Sequence, residues 1–198
     1  MDPRVFTKAL RESLKLKFNT MGQYFCAINI DDMEHVSPYD FDNGAKLMEH
    51  SYIGNNYVEA IEFLLIEGAR WHKKPIVWAG DYADGEDEDG GGPNLYMEVE
   101  DTNKLKMLIE AIPEDHHFLV NYDNHQYVDK RKCPKANDKW QSQIHPLPLL
   151  TSEGNGRGGG DYHGDSMDYV GTWARCRLGL TNTVPEGFTE LIPNFKEQ

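Results

Sequence analysis

Cysteine is scarce in this chain of 198 residues, and the scarcity excludes two kinds of structure. The three cysteines are an odd number and include no Cys-x-x-Cys pair, so the sequence indicates neither a disulfide framework nor a cysteine-based zinc site. The absence of a disulfide framework favours a reducing compartment. The first 17 residues contain recurrent Lys and Arg instead of the apolar core of a secretory signal, and we therefore expect a cytoplasmic protein.

Long hydrophobic runs and excess positive charge are also missing. The longest mostly apolar stretch, 60–66, is interrupted by Glu62 and is far shorter than the roughly 20 residues that span a bilayer. The sequence therefore predicts no membrane span. Twenty Lys and Arg against 33 Asp and Glu give a net charge of -13 and a pI of about 5.0. Since such a surface repels a phosphate backbone, we expect no binding of double-stranded nucleic acid.

The residues that are present predict one folded domain with a distinct N-terminal segment. A hydrophobic content of 39% with four tryptophans is sufficient for a core. Residues 1–20 carry five basic and two acidic side chains, a net charge of +3, with apolar residues at roughly helical spacing. We expect a basic N-terminal arm over 1–20 and a single α+β domain over 21–198.

Short β-rich runs separated by turn residues predict the fold class. Two hairpins are expected over 23–36 and 117–128, because each pairs apolar runs across an Asp-Asp or Asp-Asn turn. Helical spacing covers 45–66 with a break near 54–56, and a buried strand is expected over 75–80. The prediction is α+β: mainly antiparallel sheet with a few helices.

The two predicted hairpins resemble each other. Asn29-Ile30-Asp31 matches Asn121-Tyr122-Asp123, and a tryptophan precedes a strand in both parts of the chain. Two interpretations are open. Ordinary turn chemistry explains the likeness of the hairpins, whereas an internal duplication would give two related halves, 21–101 and 114–198, packed about a pseudo-twofold axis.

A glycine-rich loop is the most distinctive segment, with six glycines in the eleven positions of 154–164. Glycine permits positive φ, so successive N–H groups can converge on an anion, and Arg157 adds a planar cation. The leading hypothesis is a binding module that holds a small anionic ligand, for example a nucleotide. A flexible surface connection is the alternative. The predicted ligand-binding residues are Asn155, Gly156, Arg157, Gly158, Gly159, Gly160 and Asp161.

A second hypothesis places a metal after this loop. Asp161, His163 and Asp165 alternate, and on an extended segment they would point the same way, as ligands of a metal-assisted hydrolase. The third hypothesis is a protein-interaction factor without a small ligand, acting through a protein partner or as a homo-oligomer. The sequence shows no GxSxG or HExxH motif and identifies no cofactor.

Three segments carry a resemblance to other proteins: GAKL at 44–47, WAGDYAD at 78–84 and NGRGGGD at 155–161. Together with the first hairpin, they resemble a group of small uncharacterised proteins from bacteria, their phages and some eukaryotes. The resemblance covers most of 21–198 and excludes the basic arm. It implies that both glycine-aspartate segments belong to one recurring architecture, and it implies no activity.

Overall fold

The computed structural model describes residues 23–87, 90–99, 103–105, 112–136, 142–154 and 160–196. The predicted basic arm, residues 1–20, lies outside these stretches and stays a prediction. The described residues form an α+β fold, a mostly antiparallel sheet with a few short helices, so the predicted fold class is confirmed. None of the helices in these stretches is both long and apolar enough to cross a bilayer.

Nine strands of the described residues form one sheet: β1 (Phe25–Asn29), β2 (Glu34–Val36), β3 (Lys74–Gly80), β4 (Asn103–Lys104), β5 (Phe118–Asn121), β6 (Gln126–Asp129), β7 (Ser152–Glu153), β8 (Cys176–Thr181) and β9 (Thr189–Glu190). The α-helices in the same stretches are α1 (Leu47–His50), α2 (Asn56–Leu65), α3 (Leu95–Val99) and α4 (Pro146–Thr151). Short 3-10 turns cover Pro38–Phe41, Lys130–Lys132 and Met167–Tyr169.

The sheet has the order β4-β2-β1-β3-β8-β5-β6-β9, and β7 pairs with β3 beside this path. The pairs β1–β2 and β5–β6 are the two predicted hairpins. β3 and β8 meet antiparallel at the centre, where Pro75 lies opposite Arg177. Both outer strands, β4 and β9, run parallel to the hairpin strand beside them. The order therefore reads the same from either edge: outer strand, hairpin, central strand.

The sheet is covered on both faces, which explains why β1 is buried throughout instead of in alternation. Its residues Phe25 and Ala27 face the main core, which α2 and α4 share. Cys26 and Ile28 face a smaller apolar cluster beneath α3. Helix α2 begins where the Asn55 side chain accepts hydrogen bonds from the first free backbone N–H groups.

Matching contacts recur in the two hairpins. The indole Nε1 of Trp71 donates to Glu34 Oε2 at 3.0 Å, and Nε1 of Trp173 donates to Gln126 Oε1 at 3.0 Å. Glu34 and Gln126 occupy the same place in their hairpins, opposite a buried asparagine of the preceding strand. Each tryptophan thus ties the start of a central strand to a hairpin.

The centre of the sheet shows a second matched pair. Lys73 N donates to Leu178 O and Arg175 N donates to Ile76 O, both at 2.8 Å. Lys73 and Arg175 each precede a central strand, and both have positive φ, 57° and 64°. Each central strand therefore receives the same backbone hydrogen bond from the other.

Candidate functional site

The predicted ligand loop lies mostly outside the described residues. Positions 155–159 belong to that part, which includes Arg157, so their role stays a prediction. Gly160 is described, and a Cβ there would lie 2.6 Å from Cε2 of Phe25 at a φ of +57°. Asp161 Oδ1 accepts a hydrogen bond from Met48 N at 2.9 Å. These two residues join the loop to β1 and α1, and their role in ligand binding stays a prediction.

The three predicted metal ligands occupy different surroundings. Asp161 bonds to the backbone of α1, whereas His163 and Asp165 are exposed. The segment contains turns rather than a strand, so alternation along the chain does not align these side chains. Between them, the hydroxyl of buried Tyr162 donates to Asp165 O at 2.6 Å. In the described part of the chain, no three His, Cys, Asp or Glu residues form a group that could hold a metal ion.

A cleft of about 470 Å³ lies elsewhere, between α2, the segment before β5 and the segment after β6. Nine of its fourteen lining residues are ionisable, in equal numbers of acids, bases and histidines. The acids are Glu59, Glu62 and Glu114, the bases are Lys130, Arg131 and Lys135, and the histidines are His116, His117 and His145. A concave space with converging polar groups is the usual form of a small-molecule site.

Three of these side chains meet in the buried part of the cleft. Lys130 Nζ lies 2.5 Å from Glu62 Oε1, and His145 Nε2 lies 3.0 Å from the same oxygen. The side chains of Glu62 and His145 are each 2% exposed, and that of Lys130 is 14% exposed. Helix α2 supplies the carboxylate, the 3-10 turn after β6 supplies the ammonium and the residue before α4 supplies the imidazole.

The tautomer of His145 follows from its role as a helix cap. Its Nδ1 accepts a hydrogen bond from Leu147 N at 3.2 Å, which satisfies one backbone donor at the start of α4. An accepting Nδ1 carries no proton, so the neutral ring carries its proton on Nε2. This Nε2 is close to Glu62 but is not aligned with it as a hydrogen bond. The ring therefore places a buried N–H donor beside the Glu62 carboxylate in the cleft.

The carboxylate of Glu62 remains ionised despite its burial. Desolvation raises its pKa, but the interactions with His145 and Lys130 outweigh desolvation and leave the pKa below its ordinary value. A buried ion pair contributes little net stability, because the cost of removing both charges from water offsets their attraction. Ionisable groups held in this way are candidates for a functional site.

The charge of the cleft differs from that of the protein. The acids and bases of the lining balance, whereas the whole chain carries a net charge of -13. The cleft therefore repels an anion less than the rest of the negatively charged surface does. The ammonium of Lys130, which is partly exposed, can contact such an anion.

Sequence reasoning missed this site, although one signal was visible. Glu62 interrupts the longest apolar stretch of the chain. Its carboxylate therefore lies on the helix face that packs against the core, where a charge needs a partner. Its partners are remote in sequence, 68 residues away for Lys130, and no spacing rule joins them. No family model, curated protein or solved structure matches the chain.

Proposed function

We propose that this protein binds a small anionic ligand in the cleft, with the ammonium of Lys130 as the central contact. The observation that supports this is the Lys130–Glu62 pair at 2.5 Å, which holds a cation at the edge of solvent inside a concave, charge-balanced space. His145 supplies a buried N–H donor beside the pair. Binding by fixed cations and donors agrees in ligand class with the hypothesis drawn from the glycine-rich loop, but it assigns a different site.

Calorimetric titration tests the proposal with adenosine monophosphate, inorganic phosphate and citrate as anionic probes and adenosine as the neutral control. The expected result is binding of at least one anionic probe and no binding of adenosine. Lys135→Gln, at the exposed part of the lining, should weaken that binding, and the double variant Glu62→Leu/Lys130→Met should abolish it. Lys132→Gln is the matched control, because Lys132 is adjacent to the lining and pairs with Glu190 outside it.

The glycine-rich loop is tested in the same titrations. Arg157→Ala should leave the affinity unchanged if the anion occupies the cleft. A loss of binding in Arg157→Ala together with normal binding in both cleft variants would refute the cleft and favour the loop. Absence of binding to all three anionic probes in the unmodified protein would contradict the proposed ligand class.

We also propose that the chain consists of two related halves about a pseudo-twofold axis between Pro75 and Arg177. The symmetric strand order and the recurring tryptophan and central backbone hydrogen bonds support this. Trp71→Phe and Trp173→Phe each remove an indole donor at matching places. Both should lower the free energy of unfolding by similar amounts, about 1–3 kcal/mol. A cost confined to one variant in urea unfolding would contradict structural equivalence.

A further inference from the structure

A second pocket, of about 180 Å³, lies under α3, near the edge of the sheet that β2 and β4 form. Strands β1, β2 and β4 and the 3-10 turn after β2 contribute to its lining. It shares no lining residue with the cleft. The inference drawn from it is therefore independent of the proposed function.

The inner lining of this pocket combines small buried residues with one polar ring. Cys26, Ala45 and Val99 are buried there, and His35 is 6% exposed. Nδ1 of His35 has no hydrogen-bond partner among the described residues. Desolvation and the nearby charge of Lys104 lower the pKa of His35, so the ring is neutral near pH 7. With its proton on Nε2, the neutral imidazole presents Nδ1 as its acceptor nitrogen, and a buried acceptor without a partner is costly. We assign this tautomer to His35.

The outer lining is aromatic. Tyr39 is 59% exposed at the mouth, and Tyr96 from α3 lies in the lining with it. The only charged side chain of the lining, Lys104, is already paired with Asp40 at 2.8 Å. Cavities of about 150 Å³ lined by apolar side chains accept a benzene ring, so this pocket is large enough for one aromatic ring with a small extension.

We infer that this pocket is a second binding site, and that it takes a small, uncharged heteroaromatic ring bearing an N–H group. The two phenol rings, together with Ala45 and Val99, favour a planar ring. His35 favours a ligand that donates a hydrogen bond. The side chain of Lys104 is 42% exposed, and the buried residues of the described lining carry no charge, which disfavours an ionic ligand.

Benzimidazole and 1-methylbenzimidazole form a matched pair of probes, since only the first has a ring N–H. Each is titrated into the full chain labelled with ¹⁵N. Benzimidazole should shift the amide signals of Ser37, Tyr39 and Tyr96 in a saturable way, and the methylated probe should bind about fivefold more weakly, the equivalent of one hydrogen bond. His35→Leu should weaken benzimidazole by the same factor and remove the difference between the probes. His163→Leu is the control, because His163 is exposed and lies outside the pocket. This variant should change neither the affinity for benzimidazole nor the difference between the two probes.

Three outcomes would overturn the inference: no shift at the solubility limit of benzimidazole, shifts confined to residues of the cleft, or equal affinity for the two probes. If His35→Leu fails to melt cooperatively, Tyr39→Ala replaces it, because an exposed phenol can be removed without opening the core. Weaker binding of benzimidazole by Tyr39→Ala supports the site, and unchanged binding refutes the aromatic mouth.

Discussion

Removing one charge from the buried pair in the cleft should destabilise the protein far more than removing both. The single variants are Lys130→Met and Glu62→Leu, and the third variant combines them. Because Lys130 and Glu62 compensate each other's charge, with the His145 imidazole also beside Glu62, a single substitution leaves a buried charge without its ion-pair partner, which costs about 3–5 kcal/mol. Replacing a buried pair by apolar residues is often neutral or stabilising.

The double variant should therefore cost less than either single variant, which corresponds to a coupling free energy of at least about 3 kcal/mol. An exposed ion pair provides the control. Lys132 Nζ lies 2.6 Å from Glu190 Oε1, but the lysine side chain is 53% exposed. Lys132→Met should consequently cost less than about 1 kcal/mol.

Urea unfolding at pH 7 measures these free energies through tryptophan fluorescence, and three buried tryptophans report on the core. Additive costs, or single-variant costs as small as that of Lys132→Met, would refute the reasoning, because the ammonium would then be solvated in solution. A stable double variant that no longer binds the anionic probes would separate stability from ligand binding. That result would mean that the charges of Lys130 and Glu62 serve ligand binding and not stability.

Three further predictions concern the described core. His50→Gln should remove an acid destabilisation, because burial lowers the pKa of His50 to about 4 from an ordinary value of 6.5. The unfolded chain binds this proton first, so up to about 3 kcal/mol of stability is lost as pH falls from 6.5 to 4. Gly160→Ala should cost about 1–3 kcal/mol in urea unfolding, because its Cβ would collide with Phe25 at positive φ. Asp161→Ala should cost about 1 kcal/mol by removing the acceptor of Met48 N, also measured by urea unfolding.

Each of these has a matched comparison. The wild type and His50→Gln are compared at pH 7 and pH 4.5, and a constant difference between them would contradict the titration. Gly187→Ala shares the positive φ but has no atom within 4 Å of the new Cβ, so Gly160→Ala should be the costlier variant. Asp165→Ala removes an exposed carboxylate, and a cost equal to that of Asp161→Ala would contradict the role of the Met48 hydrogen bond.

The fold was predictable to the extent that local patterns determined it. Both hairpins, the break between α1 and α2 and the central strand β3 were visible in turn residues and apolar spacing, and they are confirmed. The sequence also predicts two late strands, over 169–181 and 188–192. Both are shorter in the structure, and 167–175 forms turns before β8. Four of the five residues of 169–173 are aromatic or β-branched, so local composition favours a strand where the tertiary structure forms turns.

The site was less predictable, because its residues meet only through the tertiary fold. Glu62, Lys130 and His145 come from three elements, and neither their spacing nor a motif relates them. The glycine-rich loop was identified from the sequence because the backbone freedom of glycine follows from the residue type alone. A buried ion pair depends on the tertiary fold and cannot be identified in this way. The one legible hint was a carboxylate within an apolar stretch, which requires a partner that only the folded chain can supply.

The two 3-10 turns that follow the hairpins show why the buried pair is not a demand of the fold. They begin at Pro38 and Lys130, which are 92 residues apart, as are the buried Asn29 and Asn121 of the preceding strands. The first turn ends in Phe41, which packs on Tyr57 with ring centroids 5.8 Å apart, and it forms without a buried cation. The first turn is held by the Phe41–Tyr57 contact and by the Lys104–Asp40 ion pair, whose side chains are 42% and 35% exposed. The same geometry at the second hairpin therefore does not need an ammonium next to a desolvated carboxylate. A role for Lys130 and Glu62 in contacting a ligand accounts for charges that packing does not require.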